Sequence, residues 1–218
     1  GWYRNTIWRD HSERVGQVWC AADNVRETHK VWEYVHVLAC LYYGLPHLQD
    51  MRLISLGAGV ESPLWTLARW GADVTAADTY FERGYWHPGH VPHIRAAPAV
   101  FCPYPDAKPV RFINLNLRFR SLGSLITWAR LGDFDAIYSI SSLEHVHGTG
   151  RQGPPEGVPR ILARKLRMFR RIARKVRPGG VFTFTTELIT QCDARRRLDF
   201  YTRPELERII DELGRCGL

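Results

Sequence analysis

The stretch from Arg52 to Asp78 constrains the fold of this chain more than any other. Leu53 to Leu56 is an apolar run of the length of one buried strand, and Gly57 and Gly59 follow it at once. Pro63 stands where a helix can begin, Leu64, Leu67 and Ala68 recur at helical spacing, and Gly71 ends that helix. Val74 to Ala77 is a second apolar strand, closed by Asp78. Strand, glycine turn, helix, strand and acid is the plan of one nucleotide-binding half of a doubly wound α/β sheet. A turn without side chains lets a ligand touch backbone, and a helix start offers free N–H groups. An acid at the tip of the next strand can accept hydrogen bonds from both hydroxyls of a ribose.

The glycine spacing also bears on the ligand. A dinucleotide fingerprint needs a third glycine where the helix packs on the strand. That position is Ser62 here, and Glu61 stands near where a pyrophosphate would lie. An ionised acid there repels phosphate and suits a phosphate-free ligand with a positive centre.

Downstream, the alternation of strand and helix continues. Residues 26–43 carry an apolar face through Val31, Tyr34, Val35, Leu38 and Leu41 and predict a helix lying on the sheet before the first strand. Val110 to Leu117 predicts a third strand, Ser121 to Arg130 a helix, and Phe134 to Ile140 a fourth strand. That strand runs into Ser141-Ser142-Leu143-Glu144-His145-Val146. Ile161 to Val176 predicts a helix, which Arg177-Pro178-Gly179-Gly180 turns into a fifth strand, Val181 to Thr186. Thr202 is placed to cap a last helix.

Three of these motifs, in this order, resemble the class I S-adenosylmethionine-dependent methyltransferases of small molecules and glycans. They are the Gly57–Gly59 turn with Asp78, the Leu143-Glu144-His145-Val146 strand end, and the Arg-Pro-Gly-Gly turn. The resemblance spans about residues 50 to 210 and departs at Ser55, where the family often has an acid. It implies a Rossmann-like, doubly wound, mostly parallel sheet with flanking helices. Residues 1–50 would form a helical cap or arm, and 51–218 the cofactor-binding domain. The closing antiparallel strands of the family are missing after residue 210, and the chain opens on Gly1, so a longer protein with a further domain is expected.

The implied cofactor is S-adenosylmethionine. The resemblance assigns its contacts to Gly57, Ala58, Gly59, Asp78, Thr79, Ser139 and Ser141. Asn116, or alternatively Asn114, would meet the adenine, unless it only caps its own turn. His145 would be a general base for a hydroxyl acceptor, with His147 as second choice. Glu144 would orient that histidine or face the cofactor. A purely structural role for the Glu-His pair, capping the following helix, stays open. So do two other functions, a cofactor-binding scaffold without catalysis and a Rossmann enzyme using NAD or a nucleotide sugar.

Residues 79–109 hold Pro88, Pro92, Pro98, Pro103, Pro105 and Pro109, which forbid a long helix, among six aromatic residues. Such a loop reads as a lid over the adenosine end and a wall selecting a small-molecule or sugar acceptor. His87, His90 and His93 lie three apart within it, but the prolines break any helix that would align them, and no metal site is expected. Five scattered cysteines without a Cys-x-x-Cys pair read as reduced thiols of a cytoplasmic protein. No apolar run approaches the length of a membrane span. The net charge of +8 comes almost wholly from arginine. Arg160, just before the Ile161–Val176 helix, and Arg164, Lys165, Arg167, Arg170, Arg171, Arg174 and Lys175 within it make up its other face, for which a solvated stripe is the ordinary reading. With no accompanying nucleic-acid module, a nucleic-acid partner is not expected.

Overall fold

The computed structural model describes residues 28–80, 102–146, 158–188 and 200–218. Five helices and five strands occupy them: α1 (Thr28–Gly44), β1 (Arg52–Leu56), α2 (Ser62–Arg69), β2 (Asp73–Asp78), β3 (Arg111–Asn114), α3 (Leu122–Arg130), β4 (Phe134–Ile140), α4 (Val158–Ala173), β5 (Val176–Thr185) and α5 (Arg203–Arg215). The strands form one sheet in the order β3-β2-β1-β4-β5, and every pair is parallel. The doubly wound α/β fold read from the sequence is therefore present.

A parallel sheet must be covered on both faces, because its crossovers put helices there. Leu53, Val74, Ala76, Ala136 and Tyr138 face α1 and α2, where Tyr34, Leu38, Leu41, Leu64 and Leu67 close over them. Ile54, Leu56, Ala77 and Ile137 face the other way, under Trp128 of α3, Phe169 and Ile172 of α4, and Ile209 of α5. The winding reverses between β1 and β4, which are neighbours although β2 and β3 intervene in sequence. A crevice therefore opens at the carboxyl ends of these two strands.

Local chemistry sets the ends of the elements. Pro63 sits in the first turn of α2, and Gly71 takes φ +91° just past it. The Ser121 hydroxyl accepts the Ser124 N–H at 3.2 Å and starts α3. The Glu205 carboxylate accepts the Thr202 N–H at 2.8 Å at the start of α5.

Four readings are corrected. The third strand ends at Asn114 rather than Leu117, because the Asn116 side chain accepts the Arg118 N–H and the Phe119 N–H bonds Asn116 O, turning the chain away. Helix α4 stops at Ala173, since the Phe134 N–H takes Lys175 O at 2.8 Å and pairing with β4 begins at Val176. Arg177-Pro178-Gly179-Gly180 is thus an outward bulge within β5, held by Arg177 on Asp135 at 2.7 Å, and not the link from helix to strand. Lys165 is not on a solvated face: it is buried, with its ammonium 4.1 Å from the centre of the Tyr201 ring.

The expected lid falls mostly outside the described residues, as do His87, His90, His93 and His147. Its first described aromatic residue, Tyr80, is wholly buried in the core instead, packed on Phe112. No described helix is long and apolar enough to cross a membrane. Cys40, Cys102 and Cys216 are free thiols.

Candidate active site

The tip of β1 is stitched to β2 by its own backbone. The Gly57 and Ala58 N–H groups donate to Ala77 O at 2.8 and 3.2 Å. Gly57 takes φ +68° and Gly59 φ +51°, so the chain turns through two left-handed residues, which glycine tolerates best. At Gly57 a side chain has no room either: a Cβ there would meet the Ser142 Oγ at 1.8 Å. The turn brings the Gly59 N–H to the Asp78 Oδ2 at 2.9 Å. The other carboxylate oxygen of Asp78 accepts the Thr79 N–H at 2.6 Å. Below the turn the Tyr80 hydroxyl donates to Gly59 O at 2.6 Å and fixes the loop from inside.

A cavity of about 290 Å³ opens beside this turn. Gly57, Asp78, Thr79, Asn116, Ser142 and His145 line it, with apolar walls from Leu115, Leu117 and Val146. Residues from the ends of β1, β2 and β4 thus converge on one hollow with the turn after β3, at the sheet edge where a doubly wound fold holds its ligand.

No protein-family model matches the chain, and no curated protein matches it. Solved structures do. An S-adenosylmethionine-dependent methyltransferase from Mesorhizobium loti has a TM-score of 0.50 at 20% identity, over 82% of this chain and 79% of that one. The magnesium protoporphyrin IX methyltransferase of Synechocystis, solved with S-adenosylmethionine bound, has a TM-score of 0.53 at 17% identity, over 88% and 71%. The fold is that of the class I S-adenosylmethionine-dependent methyltransferases. The [4+2]-cyclase SpnF has it too, with a TM-score of 0.53 at 19% identity over 84% of this chain. This chain spans 56% of the cyclase's length.

Within the methyltransferase fold, the residues singled out from the sequence divide into two groups. Gly57, Asp78, Thr79, Asn116 and His145 line the cavity. Ala58, Gly59, Ser139, Ser141 and Glu144 do not. Ala58 is buried under the turn. The Ser139 hydroxyl is buried and donates to Leu56 O at 2.7 Å, tying β4 to β1 beneath the site. Ser141 is strained at φ +42°. Its N–H donates to the Thr185 Oγ1 at 3.0 Å, and its hydroxyl donates to the Glu33 carboxylate of α1. Ser142, next in sequence, takes the place at the cavity that Ser141 was expected to hold. Both follow β4 in the same run of small polar residues, and the kink at Ser141 decides which one faces the hollow.

His145 and Glu144 also part ways. His145 is exposed at the cavity, its ring edge-on to Phe200 with centroids 6.2 Å apart. Glu144 is wholly buried, and neither carboxylate oxygen has a hydrogen-bond partner among the described residues, so it does not orient His145. Burial pushes its carboxyl up to about 7, and the like charge of Glu187 adds to this. Glu61, the residue before α2, is also governed by burial, which pushes its carboxyl well up. Its Oε2 is sealed without a hydrogen-bond partner among the described residues. Lys30, on Glu33 at 3.0 Å, pulls both carboxyls down a little, while Glu33 pushes both up. Two poorly paired acids, Glu144 wholly buried and Glu61 half-buried with one sealed oxygen, therefore lie by the turn and the end of β4. Among the described residues no three His, Cys, Asp or Glu side chains gather as a metal site.

Proposed function

We propose that this chain is a methyltransferase that binds S-adenosylmethionine at the Gly57–Gly59 turn and methylates a hydroxyl of a small molecule or sugar. The observation that carries this reading is the Asp78 carboxylate, 2.9 Å from the Gly59 N–H at the wall of the cavity. Such a carboxylate is positioned to take the hydroxyls of a ribose.

The residues around the turn fit a sulfonium nucleoside better than a dinucleotide. Burial favours the neutral form of Glu61, so the turn carries no standing negative charge there, and Glu61 offers a pyrophosphate no cation to pair with. A positive centre brought near Glu61 and Glu144 would favour their ionised forms and partner them. Gly57, Asp78, Thr79 and Asn116 would hold the nucleoside. Bound there, S-adenosylmethionine supplies a methyl group made electrophilic by its positively charged sulfur.

The chain's own part is alignment and exclusion of water from the hollow. A hydroxyl is a weak nucleophile while it keeps its proton, and the His145 imidazole at the cavity wall is placed to accept that proton. Imidazole suits this work because it exchanges protons near neutrality. The free thiols Cys40 and Cys102 support a cytoplasmic site of action.

A second reading is a chain that binds the cofactor without transferring its methyl group; the likeness to a cyclase favours it in that the same fold serves a reaction other than methyl transfer. The test is release of S-adenosylhomocysteine from S-adenosylmethionine in the presence of a panel of phenolic, sugar and aliphatic hydroxyl acceptors. The account predicts release that depends on the acceptor and falls by about 100-fold or more in His145→Ala. Tight cofactor binding with no acceptor-dependent release would favour the second reading.

A further inference from the structure

A second hollow, of about 370 Å³, shares only Arg118 with the cofactor cavity. Five arginines line it: Arg118 and Arg120 from the turn after β3, and Arg164, Arg167 and Arg171 from α4. The α4 arginines stand at i, i+3 and i+7, so they share one face of the helix. The turn that presents the other two is strained, with Phe119 at φ +50° between them. The Phe119 ring lies 5.1 Å from the Arg171 guanidinium and props it.

A solvated helix face usually mixes signs of charge. Helix α4 has no acid in Val158–Ala173. Neighbouring arginines are neutralised, Arg170 by Glu212 and Arg177 by Asp135. Arg120, Arg164, Arg167 and Arg171 have no ion pair among the described residues. Like charges gathered around one hollow repel, and a multivalent anion relieves several of them at once.

We propose that this hollow binds an oligophosphate, the di- or triphosphate group of a small molecule. Guanidinium groups fork onto phosphate oxygens two bonds at a time, and here they converge from two sides of one concavity. A nucleic-acid strand is the less fitting occupant. It would run along the whole basic stripe, engaging Arg160 and Arg174, which do not line the hollow. The site shares no reacting group with methyl transfer and stands or falls apart from it.

The test is calorimetric titration of the full chain with sodium tripolyphosphate at about 50 mM and about 200 mM salt, with circular dichroism on every variant to verify folding. One saturable site is expected, weakened about tenfold or more in Arg164→Glu/Arg167→Glu. Arg167→Lys keeps the charge but loses the fork, and should weaken it by about threefold or more. Arg160→Glu/Arg174→Glu should change it by less than about twofold. S-adenosylhomocysteine binding should be unchanged in all three. No saturable binding by the folded wild-type chain would overturn the proposal. So would an equal loss in the Arg160/Arg174 pair with affinity that grows with oligonucleotide length, which would make the stripe a nucleic-acid track.

Discussion

At the scale of single residues, Gly57 has two independent reasons to lack a side chain, its left-handed backbone and the Ser142 hydroxyl in the space a Cβ would need. Gly57→Ala should therefore lower stability by about 1–3 kcal/mol in urea denaturation and weaken S-adenosylhomocysteine binding in calorimetry. Asp78→Asn keeps the shape and removes the charge. It should weaken the same ligand by about 10- to 100-fold while changing stability less. Glu144 makes a pH-dependent prediction. A free glutamate titrates near 4.5 and the buried one near 7, so the folded state favours the neutral carboxyl. That contribution is complete below pH 4.5 and is lost as pH rises through 7. Glu144→Gln should match wild type near pH 4 and exceed it by roughly 3 kcal/mol at pH 8, read from denaturation curves across that range. A variant equally displaced at both pH values would show that the buried charge is not the cause. The glycines and Asp78 were legible in the sequence because a turn's demands are local. The separate fates of Glu144 and His145 were not, since burial of Glu144 depends on Tyr201, far along the chain, whose hydroxyl closes on Leu143 O at 3.3 Å.

At the scale of elements, the apolar strands were read to within one residue at each end, Leu53–Leu56 within Arg52–Leu56 and Val74–Ala77 within Asp73–Asp78, and Phe134–Ile140 matched at both ends. Ends set by distant partners were not. Ile172 and Val176 keep helical spacing, but the β4 backbone captures Lys175 O and ends the helix first. Ser139 shows the same limit, because a serine inside a sheet gives no sign in sequence of whether it faces a ligand or ties two strands. The Arg-Pro-Gly-Gly bulge offers a paired test. A Cβ at Gly180 would meet the backbone oxygen of Asp135 at 2.6 Å, which cannot yield as a flexible side chain would. At Gly179 there is open space but φ is +76°. Gly180→Ala should cost about 2–3 kcal/mol and Gly179→Ala about 1 kcal/mol, compared by urea midpoints. Equal costs would mean that the bulge is not packed against β4 as described.

At the scale of the whole molecule, the five parallel strands, the reversal between β1 and β4 and the cavity at their carboxyl ends form one arrangement. The fold requires that crevice; the side chains decide what fills it. The central claim is that the glycine turn and Asp78 hold a sulfonium nucleoside and not a dinucleotide. Isothermal titration of the chain with S-adenosylhomocysteine and, separately, with NAD tests it most directly. The account predicts saturable 1:1 binding of S-adenosylhomocysteine that is weakened in Asp78→Asn, with NAD bound at least about 100-fold more weakly. Tight binding of NAD alone, or S-adenosylhomocysteine binding indifferent to Asp78, would contradict it.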